Sequence, residues 1–220
     1  MTALMATTGL QAQGFEGQIT FKIEVKGENA ALFAAMMPNS LEVFFLDGES
    51  MVRNNGGMME GKIGDIVTKK DGSSYMVLHN KKKVYKMGKE ASKNSDEFKP
   101  IITREGEETV KGYKCTKYLI KFPYKEDAQG EMYQYLWATK EINVAKPKTA
   151  GSSSGMFLDE IEGFPVKVDQ YIIVRQMGGI TINTEMILDK IETQKPDASL
   201  FEIPKKYKME DFDESKFGKM

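Results

Sequence analysis

Histidine, cysteine and tryptophan each occur once in the 220 residues, as His79, Cys115 and Trp137. A histidine-based triad needs an oriented base, and a zinc site needs several ligands at set spacings. One histidine and one cysteine supply neither, so the sequence assigns no catalytic residue, no metal ligand and no cofactor, and the chain is expected not to be an enzyme. A lone cysteine also closes no intramolecular disulfide, so stability has to come from a core. Excess charge is missing as well: 31 Lys and Arg stand against 32 Asp and Glu. That balance argues against a nucleic-acid partner. No apolar run reaches the ~18 residues of a membrane-crossing helix, so no transmembrane segment is expected.

What chemistry remains is sparse. Glu105, Glu107 and Glu108 cluster, as do Glu210, Asp211, Asp213 and Glu214. Both groups read as solvated charge beside turns or in a tail, and the second lacks the spacing and glycine of a calcium loop. Lys81 to Lys83 is a short basic turn next to His79, which reads as a hairpin tip. GSSSG at 151–155 lacks the Lys-Ser/Thr that completes a phosphate loop. Fifteen methionines are many; without histidines or a regular repeat they suit apolar filling better than soft-metal binding. Cys115 sits in the alternating stretch VKGYKCTKYLIKF. Lys114 and Lys117 flank it, but a free cysteine in such a place packs as a small hydrophobe.

What the chain does have is period-two alternation. Phe15, Ile19, Phe21, Ile23 and Val25 alternate with Glu16, Gln18, Thr20, Lys22 and Glu24. Similar runs recur at 41–46, 50–55, 62–69, 73–80, 83–88, 112–124, 131–142, 163–174 and 178–192, which gives about ten strands joined by turn signals such as DGE and KDG. Tyr133, Tyr135 and Trp137 share one face of their strand, and Met132, Leu136 and Ala138 the other. AALFAAMM, before Pro38, predicts a helix of two turns, and MFLDEIE at 156–162 a second short one. Consecutive strands with an apolar face predict an antiparallel sheet that pairs with another or curls into a barrel. Residues 1–12, small and uncharged before an abrupt polar change, read as the remnant of a secretory signal cleaved after Ala12. Residues 13–209 form a single domain in this reading, and 210–220 a polar tail.

FEGQITFKIEV, VKGYKCTKYLIKF with LWATKEI, and ASLFEIPKKYKM together resemble the family called domain of unknown function 4412, secreted proteins of Gram-negative bacteria. That family is similar to the periplasmic lipoprotein carriers and their outer-membrane receptors. The resemblance implies a mainly β fold: a strongly curved antiparallel sheet, an incomplete barrel, with one or two short lid helices over an apolar cavity. It implies a periplasmic or secreted location and carries over no catalytic residue.

Function is read on that scaffold. The leading expectation is a binding protein that holds an apolar small molecule, lipid or lipoprotein, with Ile19, Phe21, Ile23 and Val25 lining the site and Tyr133, Tyr135 and Trp137 adding a second wall. The same residues also fit an ordinary dry core. A protein-interaction module working through an exposed strand edge is the alternative, and a hydrolase with paired carboxylates a third. An empty cavity, an open edge, or two converging acids would favour each in turn.

Overall fold

The computed structural model describes residues 15–58, 60–62, 64–87, 100–122, 130–144, 158, 160–175 and 178–212. The expected signal remnant and the last residues of the chain lie outside these. Twelve strands form a single sheet that does not close into a barrel. In chain order they are β1 (Gly17–Lys26), β2 (Ser40–Leu46), β3 (Glu49–Asn55), β4 (Asp65–Thr68), β5 (Ser74–Leu78), β6 (Lys83–Met87), β7 (Ile101–Val110), β8 (Tyr113–Lys121), β9 (Gly130–Thr139), β10 (Phe164–Val174), β11 (Ile180–Glu192) and β12 (Lys208–Asp211). The spatial order is β12-β6-β5-β4-β3-β2-β1-β11-β10-β9-β8-β7. The chain makes two meanders, β1 to β6 and β7 to β11, which meet where β1 pairs antiparallel with β11.

Turn chemistry sets the local register. Leu46 pairs with Glu49 across Asp47 and Gly48, whose φ angles of 51° and 77° are those of a two-residue hairpin turn. The expected helix over 30–37 is shorter than the alanine run suggests. α1 spans Ala30–Phe33, and Met36 and Met37 N–H groups both still reach back to the Phe33 carbonyl before Pro38 stops the coil. Gly57 pins this segment: with φ of 71°, a Cβ there would stand 2.1 Å from the Met37 carbonyl oxygen. In the stretch expected as a second helix, residues 156, 157 and 159 lie outside the description, and the described ones form a turn with Ile161 buried.

Three expectations are corrected by pairing. The sheet is mixed, because β12 runs parallel to β6. Lys208 to Asp211 therefore belong to a strand, although polarity alone reads their end as tail; Lys208 and Phe212 donate to the Lys82 and Lys86 carbonyls. Glu105, Glu107 and Glu108 lie inside β7, an exposed edge strand, and do not flank a turn. An edge strand has one solvated side and needs no apolar alternation, so the pattern that marks interior strands is missing there.

The sheet carries two cores, one on each face. On the first, Ile19 and Phe21 of β1, Val43 of β2, Ile120 of β8, Leu136 of β9 and Val166 of β10 are wholly buried. Phe33, Ile142, Ile161 and Phe164 are also buried, and the Phe164 ring stacks on Phe21 at 6.2 Å. On the second face, Phe44, Leu46, Met51, Val67, Val77 and Val84 pack beneath Phe201. This explains why residues 41–46 are apolar in both phases.

Candidate functional site

Cross-strand register decides which of the expected site residues share a surface. Antiparallel partners point to the same side of a sheet. Ile23 pairs with Met186, Met186 with Val168, Val168 with Leu136, and Leu136 with Tyr118. Ile19, Phe21, Ile23 and Val25 therefore lie on the first core face. Glu24 pairs with Glu185, Glu185 with Asp169, and Asp169 with Tyr135. Tyr133, Tyr135 and Trp137 thus lie on the opposite face, with the charged side of β1. They face away from Ile23 and Val25.

Along the first core face the packing changes. Ile19 and Phe21 are 0% exposed and belong to a closed core. Toward the other end, Ile23, Val25, Met132, Ile172, Ile182 and Met186 are only partly buried. Between these apolar rows runs a polar one. Val25 pairs with Thr184, Thr184 with Gln170, Gln170 with Gln134, and Gln134 with Ile120. Gln134 is fully buried, and neither atom of its amide has a hydrogen-bond partner among the described residues. Gln170 Nε2 donates only weakly, to the Met132 thioether at 3.3 Å. Thr184 is 5% exposed. Sequence reasoning missed all three.

The opposite face holds a charged and aromatic lattice. Lys167 Nζ bridges Asp169 at 3.0 Å and Glu185 at 3.1 Å and lies 4.8 Å from the centre of the Trp137 ring. Lys117 caps Tyr135 at 4.4 Å, and the Tyr133 and Tyr171 rings stack at 4.8 Å. The Trp137 indole N–H donates to Glu108 at 2.8 Å. Asp169 and Glu185 are the two acids brought side by side. Burial pushes the Asp169 carboxyl up despite Lys167. Burial works the same way on Glu185, but Lys167 and Lys26 outweigh it and hold that group below its usual range. The shared lysine fills the gap between the two carboxylates, so the arrangement is an ion cluster roofed by an indole. No group of three or more His, Cys, Asp or Glu that could hold a metal occurs among the described residues, and no helix there is long and apolar enough to cross a membrane.

Glu24 extends this face into solvent between Lys22 and Lys26. Its bonds to Lys22 and Lys26 lower its pKa from 4.5 to about 2. The ionised form thus favours folding: the contribution is present above pH 4.5 and is lost as the pH falls toward about 2. Glu24→Gln is expected to lose less stability than the parent over that interval, and the difference should shrink in about 0.5 M salt because the trio is exposed. Urea titrations at several pH values measure it; parallel pH profiles for the two proteins would contradict it.

Cys115 is 2% exposed, and burial pushes its thiol up from the ordinary value. Such a thiol packs and is a poor nucleophile. Opposite Lys117, the β7 register slips between Arg104 and Gly106. His79 does more than end a hairpin. Its Nε2 lies 3.4 Å from Asp65, its Nδ1 lies 3.2 Å from the Tyr207 hydroxyl, and Arg53 binds Asp65 through two nitrogens. Arg53, Asp65 and His79 border a cleft of about 230 Å³ that Asn54, Asn55, Glu60 and Asn80 also line. Its asparagine and charged lining suits no hydrocarbon chain, and it is separate from the row around Gln134.

Residues 15–207 match the family described as Domain of unknown function (DUF4412). The chain belongs to that family. No curated protein matches it. Among solved structures it is similar to the lipoprotein LppX of Mycobacterium tuberculosis, with 11% identity, 83% of this chain and 89% of that one covered, and a TM-score of 0.36. It is also similar to a putative outer membrane lipoprotein-sorting protein domain from Vibrio parahaemolyticus, with 11% identity, 86% and 90% coverage, and a TM-score of 0.34. A LolA superfamily protein from Nitrosomonas europaea shows 8% identity, 87% and 91% coverage, and a TM-score of 0.32. Similarity this distant carries no functional inference. In this DUF4412 chain, the ASLFEIP stretch is the cover of the second core.

Proposed function

We propose that this protein is a non-enzymatic binding protein, periplasmic or secreted, that holds the apolar part of a ligand, an acyl chain or lipid, against the first core face at its Ile23 and Val25 end. One observation carries the reading. Along one sheet face the apolar side chains pass from fully buried at Ile19 and Phe21 to partly buried at Ile23, Val25, Met132, Ile172, Ile182 and Met186, with the Thr184, Gln170 and Gln134 row among them. Apolar side chains with a few converging polar groups are what ligand sites of this kind use. Ile19 and Phe21 then act as the floor that holds the lining in place. Tyr133, Tyr135 and Trp137 have no part in the site.

The strand-edge alternative finds less support. β7 is interrupted by a bulge and carries three glutamates, and β12 is short. Both are devices that discourage added strands.

Ile23→Trp tests the proposal. If the space beside Ile23 takes a ligand, the indole fills it: stability is unchanged or higher, and uptake of an apolar fluorescent probe falls sharply. If that end is packed like the Phe21 end, the added ring forces neighbouring side chains off their rotamers and costs about 1–3 kcal/mol. A large drop in melting temperature, together with no probe binding by the parent, would remove the binding reading.

A further inference from the structure

The polar row is out of place in an apolar face. An amide buried without partners is costly, and native proteins rarely keep one without a reason. Gln134 keeps both its NH2 donors and its carbonyl acceptor unpaired among the described residues while 0% exposed. It lies across from Gln170, whose amide among the described residues reaches only the Met132 thioether. Thr184 extends the row by one strand. Three neighbouring strands each place one polar side chain at the same level, between an apolar row at Ile23, Met186, Val168 and Leu136 and another at Ile182, Ile172 and Met132.

We propose that this row is the polar anchor of the binding face, and that Gln134 selects an acyl chain carrying a secondary amide. The inference rests on the apolar-ligand reading above and names its ligand class. A glutamine amide offers donor and acceptor at one place. An alkane satisfies neither. An ester carbonyl accepts from the NH2 group and leaves Oε1 unpaired. A trans secondary amide points its carbonyl and its N–H to opposite sides, so lying between the facing Gln134 and Gln170 amides it donates to Gln134 Oε1 and accepts from the Gln170 NH2 group, while its hydrocarbon flanks reach the apolar rows on either side. Met132 and Met186 border the row and are partly buried. Their unbranched, adaptable side chains are suited to move aside and admit the ligand.

The test uses the whole chain and three uncharged probes of equal length, an N-alkyl amide, the matching ester and the matching alkyl thioether, each below its micelle concentration and each displacing an apolar fluorescent reporter. The parent is expected to bind the amide about tenfold more tightly than the ester, the value of one well-placed hydrogen bond. Gln134→Met keeps the side-chain volume and removes both polar atoms. Its urea midpoint should be equal or higher, its preference for the amide should vanish, and its thioether affinity should be retained or raised. A lower midpoint for Gln134→Met would show that the glutamine serves the fold, and would overturn the anchor. Reporter binding with equal affinity for amide and ester would overturn the anchor while leaving the apolar-ligand reading intact. Failure of the reporter and of all three probes to bind would overturn both. Gln134→Glu keeps the shape and is expected to bind the amide less tightly than the parent, with a pH-dependent deficit that Gln134→Met lacks; amide affinity equal to the parent's at every pH would also count against the anchor.

Discussion

Phe21→Ala is expected to remove about 3–5 kcal/mol of folding stability, the range seen when a buried aromatic is cut to a methyl group. Small domains hold only about 5–15 kcal/mol in total, so most of the protein's margin would go. The size of the effect follows from the site. The ring is 0% exposed, stacks on Phe164, and faces Leu41 and Leu188 on the flanking strands. Those strands are held in register by the rest of the sheet, so the hole cannot collapse. Urea unfolding with an unchanged slope measures the loss. Ile23→Ala, two residues along the same face, should cost distinctly less because its side chain is only partly buried. Equal losses at the two positions would mean that the face is uniformly packed, and would weaken the case for a ligand at one end.

Phe201→Ala should have an effect of similar size, about 3–5 kcal/mol, with a second symptom. Phe201 is 2% exposed and is the centrepiece of the cover over Phe44, Leu46, Met51, Val67, Val77 and Val84. The segment is fastened on both sides. Asp197 accepts from the Ser199 N–H at 2.8 Å, and Lys69 donates to the Phe201 carbonyl at 2.8 Å while also binding Glu49. The same segment delivers β12 to the edge of β6. Once the cover loosens, β6 becomes a bare edge next to an uncovered apolar face, which is a template for association. The variant is expected to scatter light in a concentration-dependent way and to lose hydrogen-exchange protection in β6 before β9. A destabilised protein that stays monomeric, with β6 still protected, would show that β12 holds without its anchor.

Most of the sheet was legible because interior strands with one buried face must alternate. β1 is the plainest case, and the turn at Asp47 and Gly48 announces its own geometry. Two strands escaped for a physical reason. β7 is an edge with glutamates on it, and β12 is a short polar strand whose existence depends on a distant partner. The proposed site is half legible: Ile23 and Val25 stand out because they are apolar in the phase of Ile19 and Phe21. Gln134, Gln170 and Thr184 were passed over because each is a single polar residue within an apolar phase, as in Met132, Gln134, Leu136 and Ala138. One such interruption means little; three at the same level are visible only once register is known. Tyr133, Tyr135 and Trp137 share a face of β9 as their spacing says, but that this face is the one opposite Ile23 is visible only from register, because nothing in a single strand says which side of the sheet its phase occupies.

The seam between β1 and β11 joins Gln18 to Glu192 and Lys26 to Asn183, so the middle of the sheet is built from almost opposite ends of the chain. A ribosome or a translocation channel releases β1 early and β11 late. Until β11 arrives, β1 has β2 on one side and a bare row of amides and carbonyls on the other, with Ile19 and Phe21 uncovered beside it. Pairing across so long a loop is slow to find, and a half-made sheet is prone to associate with others of its kind. Joining the two meanders at their common centre is therefore the pairing of longest sequence separation that the sheet has to make. A helper that shields β1 during synthesis would act on the protein's yield without touching its final stability.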